Sequence, residues 1–295
     1  MGRLVLREGG RLALELFGAL ILSTAVSAIS VAGRGASFFA FLTSWAGRLV
    51  AVARLDLGMS AISGLPVAQD ISERAPVTLS LIFLGSLIAV LFGGPLGVVL
   101  NSGPFRRVMA PFTQVLSSAP VFCAGLALAF AAHGLLGWPV TSAEFPSAAS
   151  LLRGDLPALR IAFLPALTVG LAGMAAIHVA WRRSSLTFQD EPFRLGLRRL
   201  GLTALEIDQV YVAPLVLGGL LGNLGDIMLA LLSATVVAEW VFSCPGVADL
   251  FVKSVALHDW NMVAAILLFF VSLVLVSRFL GRLLSDILTN AGHSV

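Results

Sequence analysis

The sequence predicts an all-α protein that crosses a membrane six times and carries one polar, Arg-rich loop. Three observations predict it. The 295 residues are 58% hydrophobic and 12% charged, with a mean hydropathy of +0.97, where a soluble domain carries about 25% charge. The apolar residues fall into long runs, most of them at or above the ~20 residues that span a ~30 Å hydrocarbon core. Between the fourth and fifth runs lies a polar segment, Thr187 to Pro214, large enough to engage a soluble partner.

Arg3, Arg7 and Arg11 precede the first run, Leu16 to Ala32. A basic start before an apolar run is also how a signal peptide begins. This run outlasts a signal core and has no clear small-x-small site, so it reads as an uncleaved span. Residues 34–76 hold seven charged side chains and cannot span, although their FFAFL patch suits a membrane interface. Residues 1–76 therefore form an N-terminal span plus an extracytoplasmic segment, and residues 77–290 a core of five spans. Those spans cover about 77–100, 108–132, 161–181, 213–238 and 262–284. Gly93, Gly94, Pro95, Pro111, Pro120 and Pro165 fall inside them, where neighbouring helices can satisfy a kinked backbone.

Basic residues orient the chain. With the N-terminus inside, cytoplasmic segments hold Arg3, Arg7, Arg11, Arg106, Arg107, Arg182, Arg183, Arg194, Arg198, Arg199, Arg278 and Arg282, 12 of the 19. Both termini and the polar loop are then cytoplasmic. Cys123 and Cys244 lack the spacing of a zinc site or a disulfide framework. No basic run interleaved with aromatics indicates nucleic-acid binding. The four histidines form no HExxH, no span holds G-x-S-x-G, and no G-x-x-x-x-G-K-[ST] occurs. An enzyme is disfavoured, no metal site is expected, and any ATP and Mg belong to partner subunits.

Within the loop, Pro192 suits a first helical turn. Phe193, Leu197 and Leu200 recur at i, i+4 and i+7, and Gly201 permits a sharp stop. The result is a short helix, apolar on one side and basic on the other. It suits either a groove on another protein or an interface where its arginines meet anionic lipid.

The spacing of this loop resembles that of ABC-importer permeases: Leu195-Gly196-Leu197 stands at the E-A-A triplet, then Gly201, then Pro214. Other motifs resemble the dipeptide, oligopeptide and nickel class of permease. They are Leu57-Gly58-x-Ser60, Glu73-Arg74-x-Pro76-x-Thr78-Leu79, Leu164-Pro165-Ala166-Leu167-Thr168, Glu239-x-Val241-Phe242-Ser243-x-Pro245-Gly246, and Asp259 before the last span. Gly33-Arg34-Gly35 replaces the usual PGDP, and Pro192-Phe193 the usual Asp-Tyr.

The resemblance implies the type I importer permease fold in a bacterial inner membrane. It also implies a homologous second permease, two ATP-binding subunits and an extracytoplasmic solute-binding protein. Phe193, Leu197, Arg198, Gly201 and Leu202 would be the ATPase-coupling element, and peptide is the favoured substrate. Asp226, read as midway along the fifth span, would line the translocation path or bond a neighbouring subunit, because a charge in lipid is costly. Glu239 is a gate carboxylate or, preferably, a structural one holding the outer loop. His178 reads better as a satisfied interface residue than as a ligand. An ion-coupled secondary transporter using Asp226 is the alternative, although no inverted repeat is visible.

Overall fold

The computed structural model describes residues 2–32, 38–54, 56–93, 121–136, 145–146, 148–187, 192–203 and 206–291. The described residues form helices and no strand: α1 (Gly2–Ala32), α2 (Phe38–Ala53), α3 (Val67–Ile88), α4 (Val121–Leu136), α5 (Ala148–Arg153), α6 (Leu156–Thr187), α7 (Pro192–Arg199), α8 (Ala213–Gly222), α9 (Leu224–Val241), α10 (Val247–Ala256) and α11 (Trp260–Ala291). Wider π-helical turns follow α3 at Ala89–Gly93 and precede α8 at Ile207–Val212. Among the described residues, five helices are long and apolar enough to cross a membrane: Leu6–Ala28, Val67–Gly93, Leu156–Trp181, Leu224–Val241 and Trp260–Leu288. Of the remaining expected span, 108–120 lies outside the described residues and α4 supplies 16 residues.

Several helices run past their apolar stretches because the charged residues at their ends find partners or face water. α1 begins 14 residues before Leu16, with Glu8 paired to arginines. α3 begins at Val67, so the expected boundary at residue 76 falls inside it. Pro66 starts this helix, its carbonyl accepting from the Gln69 and Asp70 amides. The FFAFL patch opens α2, which packs on α1 through the Trp45 indole, 3.1 Å from Thr24 Oγ1.

The core joins α3, α4, α6, α9 and α11 around Leu81, Val169, Leu231, Ala234 and Ala238. α3 and α6 pack closely because glycines meet branched side chains: a Cβ at Gly170 would press on Ile88, and one at Gly85 on Val169. α1 and α11 run antiparallel. Glu8 meets Arg282 at the end that holds both termini, while Ser23, Thr24 and Ser27 face Ala264, Ala265 and Leu268 farther along.

The expected fifth span, 213–238, is two helices. Asn223 takes φ −97° and ψ 10°, and its side-chain amide donates to the Gly219 carbonyl at 2.6 Å. That side-chain bond competes with helix continuation, and the chain restarts at Leu224. Asp226 consequently lies in the first turn of α9, not midway along a span. At this joint α11 comes so close that a Cβ on Gly281 would overlap the Leu221 carbonyl oxygen. Gly281→Val is expected to lower the thermal midpoint in detergent by the equivalent of about 3 kcal/mol. Gly10→Ala, with open space around it, is expected to leave that midpoint unchanged or raise it.

Candidate functional site

The polar loop folds into a hairpin at the end of the bundle that holds the termini. α6 delivers it there: 32 residues reach about 48 Å, well past a ~30 Å core. α7 starts on Pro192 and stops through paired carbonyl bonds. The Gly201 amide donates to the Arg198 carbonyl at 3.0 Å and the Leu202 amide to the Leu197 carbonyl at 3.3 Å, with Gly201 at φ +88°. This is the Schellman stop, whose flanking residues normally touch. Here those residues are Leu197 and Leu202, and both pack on the buried Trp181 and Ile207 with Leu220 of α8.

The next turn is fastened by a capping box. The Thr203 amide donates to Glu206 Oε2 at 2.8 Å, and the Glu206 amide returns to Thr203 Oγ1 at 3.3 Å. These bonds from Thr203 hold the Glu206 carboxyl below the usual carboxylate range. The box is therefore complete above the ordinary carboxylate pKa and is lost as pH falls through the lowered one.

The expectation that Leu197 and Leu202 face a partner does not match this placement, since both turn towards their own chain. The residues turned outward are Leu195, 59% exposed, Leu200, 79% exposed, and the exposed Arg198, Arg199 and Gly201. The side chain of Phe193 lies outside the described residues.

The opposite end of the bundle brings distant sequence motifs together. Glu239, on the last turn of α9, is fully buried. Its Oε1 accepts from the Thr78 hydroxyl of α3 at 2.7 Å, and its Oε2 from the Asp249 amide at 2.8 Å. Thr78 Oγ1 in turn accepts from the Val247 amide at 2.8 Å. One carboxylate and one hydroxyl thus satisfy orphan amides in the first turn of α10 and tie it to two spans. Gly246 lies so close that a Cβ there would overlap the carboxylate. Asp249, itself buried, pairs with Lys253 at 2.5 Å and approaches Arg74 at 3.8 Å. Burial, with the Glu239 and Asp249 carboxylates beside it, pushes the Cys244 thiol far above its ordinary pKa, so this cysteine packs rather than reacts.

A second clasp lies beside the first. Asp259 Oδ2 accepts from the Ser60 hydroxyl at 2.6 Å and the Ala61 amide at 2.8 Å, while Oδ1 caps α11 through the Met262 amide. Gly58, at φ +79°, turns the chain into this contact. The Leu57-Gly58-x-Ser60 motif and Asp259 are one structural unit, as are Thr78 and the Glu239–Gly246 motif.

Asp226 sits nearer the termini end. Its side chain is 63% exposed and lies 3.6 Å from the Arg278 guanidinium, which rests on Gly225. It is not brought together with Glu239, which lies 13 residues further along α9.

The chain is similar in sequence to known transport permeases. The chain is 24% identical to the putrescine export system permease protein SapB of Escherichia coli K12, over 88% of this chain and 87% of that one. It is 26% identical to the oligopeptide transport system permease protein AppB of Bacillus subtilis, over 83% and 76%. It is 28% identical to the glutathione transport system permease protein GsiC of Escherichia coli O6:H1, over 75% and 70%. The family model described as "binding-protein-dependent transport system inner membrane component" matches residues 81–289, from the middle of α3 to the end of α11. The chain belongs to that family and is a multi-pass permease component of a binding-protein-dependent, ABC-type transport system.

Proposed function

We propose that this chain conducts short peptides inward as one of two homologous permease subunits, resting on two ATP-binding subunits and fed by an extracytoplasmic binding protein. The observation that carries the proposal is the Gly201-stopped hairpin, held at the termini end of a chain that matches the permease family over 81–289. The excess of arginine at that end supports a cytoplasmic hairpin and cytoplasmic termini. Peptide is favoured because AppB carries an oligopeptide in its name and GsiC glutathione, itself a peptide.

In this reading the hairpin couples ATP hydrolysis to the spans. Leu195, Arg198 and Leu200 meet the ATP-binding subunit, with Phe193 on the same short helix. Leu197, Gly201 and Leu202 preserve the shape of the hairpin and its grip on Trp181 and Ile207. ATP and Mg are bound by the partners. Movement of the hairpin passes through α8 and the Asn223 joint into α9, a rigid-element switch between two states. Asp226 lines the inner mouth of the path, and Glu239 holds the outer end of α9 to α3 and α10.

The test begins with the tagged chain extracted from native membranes in mild detergent. A homologous permease and Walker-motif ATPases should co-purify, and the complex in proteoliposomes should take up labelled peptide only with ATP and binding protein. Uptake by the chain alone on an ion gradient would overturn the reading. Outward, ATP-dependent movement of putrescine would replace peptide import with the activity that SapB's name describes.

A further inference from the structure

The proposed transport cycle makes no use of Glu8. This carboxylate is 2% exposed and pairs with Arg11 at 3.0 Å, Arg7 at 3.2 Å and Arg282 at 3.3 Å. Among the described residues, Glu8 is the carboxylate with which each of those three guanidiniums pairs. Three positive charges around one negative charge leave two in excess. The three side chains also remain open to their surroundings: those of Arg7 and Arg11 are 64% and 56% exposed, and that of Arg282 is 34% exposed.

The position of the cluster says what meets that excess. Arg7 and Arg11 lie in the first two turns of the apolar stretch Leu6–Ala28 and Arg282 in the last two turns of Trp260–Leu288, so all three are near the ends of their spans, within reach of headgroups for side chains of this length. Leu6 and Leu284, beside the cluster on the two helices, are 77% and 46% exposed. A convergent set of guanidiniums, with apolar side chains open on its flanks, matches a phospholipid: fork-shaped donors for phosphate oxygens and apolar surface for the start of the acyl chains. Basic pockets between spans bind anionic headgroups by this chemistry.

We propose that Arg7, Arg11 and Arg282, gathered by the buried Glu8 carboxylate, form a binding site for the phosphate of an anionic phospholipid in the groove between α1 and α11. Glu8 acts as the positioning residue: it holds three like charges together that would otherwise part, and it leaves their outer donors free for the lipid. The site is independent of what is transported and of the direction of transport.

The full-length protein, purified in mild detergent, is mixed with cardiolipin, phosphatidylglycerol or phosphatidylcholine at equal concentration, and retained lipid is counted by native mass spectrometry. Cardiolipin and phosphatidylglycerol are expected to be retained over phosphatidylcholine. Arg7→Gln with Arg11→Gln, which leaves the Arg282–Glu8 link between the helices, is expected to cut that retention roughly tenfold or more. Arg7→Lys with Arg11→Lys should keep much of it. Arg54→Gln, exposed near the opposite end, should keep all of it. Equal retention of phosphatidylcholine by the unaltered protein overturns the proposal without recourse to any variant. Binding of inorganic phosphate with no retention of either anionic lipid also overturns it, because free phosphate would then be the ligand.

Discussion

Glu239→Ala is expected to destabilise the protein by about 3 kcal/mol or more. The expected fall in thermal midpoint in detergent is roughly 5–10 °C. The substitution removes the acceptor of the Thr78 hydroxyl and of the Asp249 amide, both in a site from which water is excluded, and leaves a cavity where the side chain had been. An orphaned buried donor costs about 1–3 kcal/mol, and the cavity adds to it. Thr78, once free to turn, also holds the Val247 amide less well, so the amides at the start of α10 should lose hydrogen-exchange protection before the rest of the bundle. Glu239→Gln keeps one acceptor but sets an amide N–H against the second donor, so its loss should be smaller. Gly246→Ala approaches the same site from the other side, pushing a methyl group into the carboxylate, and should reproduce the loss with Glu239 intact. An unchanged midpoint for Glu239→Ala, with normal protection at Val247 and Asp249, would show that the clasp holds nothing.

The all-helical, membrane-crossing architecture was legible because apolar runs of span length have few other solutions. The stop of α7 was legible too, since Gly201 answers a local backbone need that few other residues meet. Helix boundaries were not. Arg7, Glu8 and Arg11 look like a polar leader until Arg282, 274 residues from Glu8, completes the cluster. The break at Asn223 is invisible to hydropathy because apolar residues continue on both sides, and only the bond from Asn223 to Gly219 interrupts the helix. For α7, periodicity showed that one side was apolar but could not say whether that side faced inward. The answer depends on Trp181 and Ile207, which belong to neighbouring elements. Glu239 stood out as a charge near a span end. Its role depends on Thr78, 161 residues away, and no local pattern connects the two. Apart from the local Asn223–Gly219 bond, the interactions that were not readable are those that close over long separations.

Leu195→Glu combined with Arg198→Glu is expected to release the ATP-binding subunits and to reduce ATP-driven uptake roughly 30-fold or more. Both side chains are exposed on α7 and neither belongs to the cluster that anchors the hairpin. The double change should therefore leave the thermal midpoint of the isolated chain near its original value. It removes an apolar contact and reverses a charge at one small surface, where a partner arranged to meet Arg198 would face repulsion instead. Leu197→Ala makes the opposite comparison. It weakens the contact with Trp181 and Ile207, so the hairpin should become more sensitive to protease and coupling should fall through loss of shape, without a change in the outward face. The pair of variants separates a surface that docks from a core that supports it. If the double variant still carries its ATP-binding subunits through purification, the outward face of α7 is not the docking surface. If it also sheds anionic lipid, the arginines of α7 serve the membrane interface, the other role open to a short helix that is apolar on one side and basic on the other.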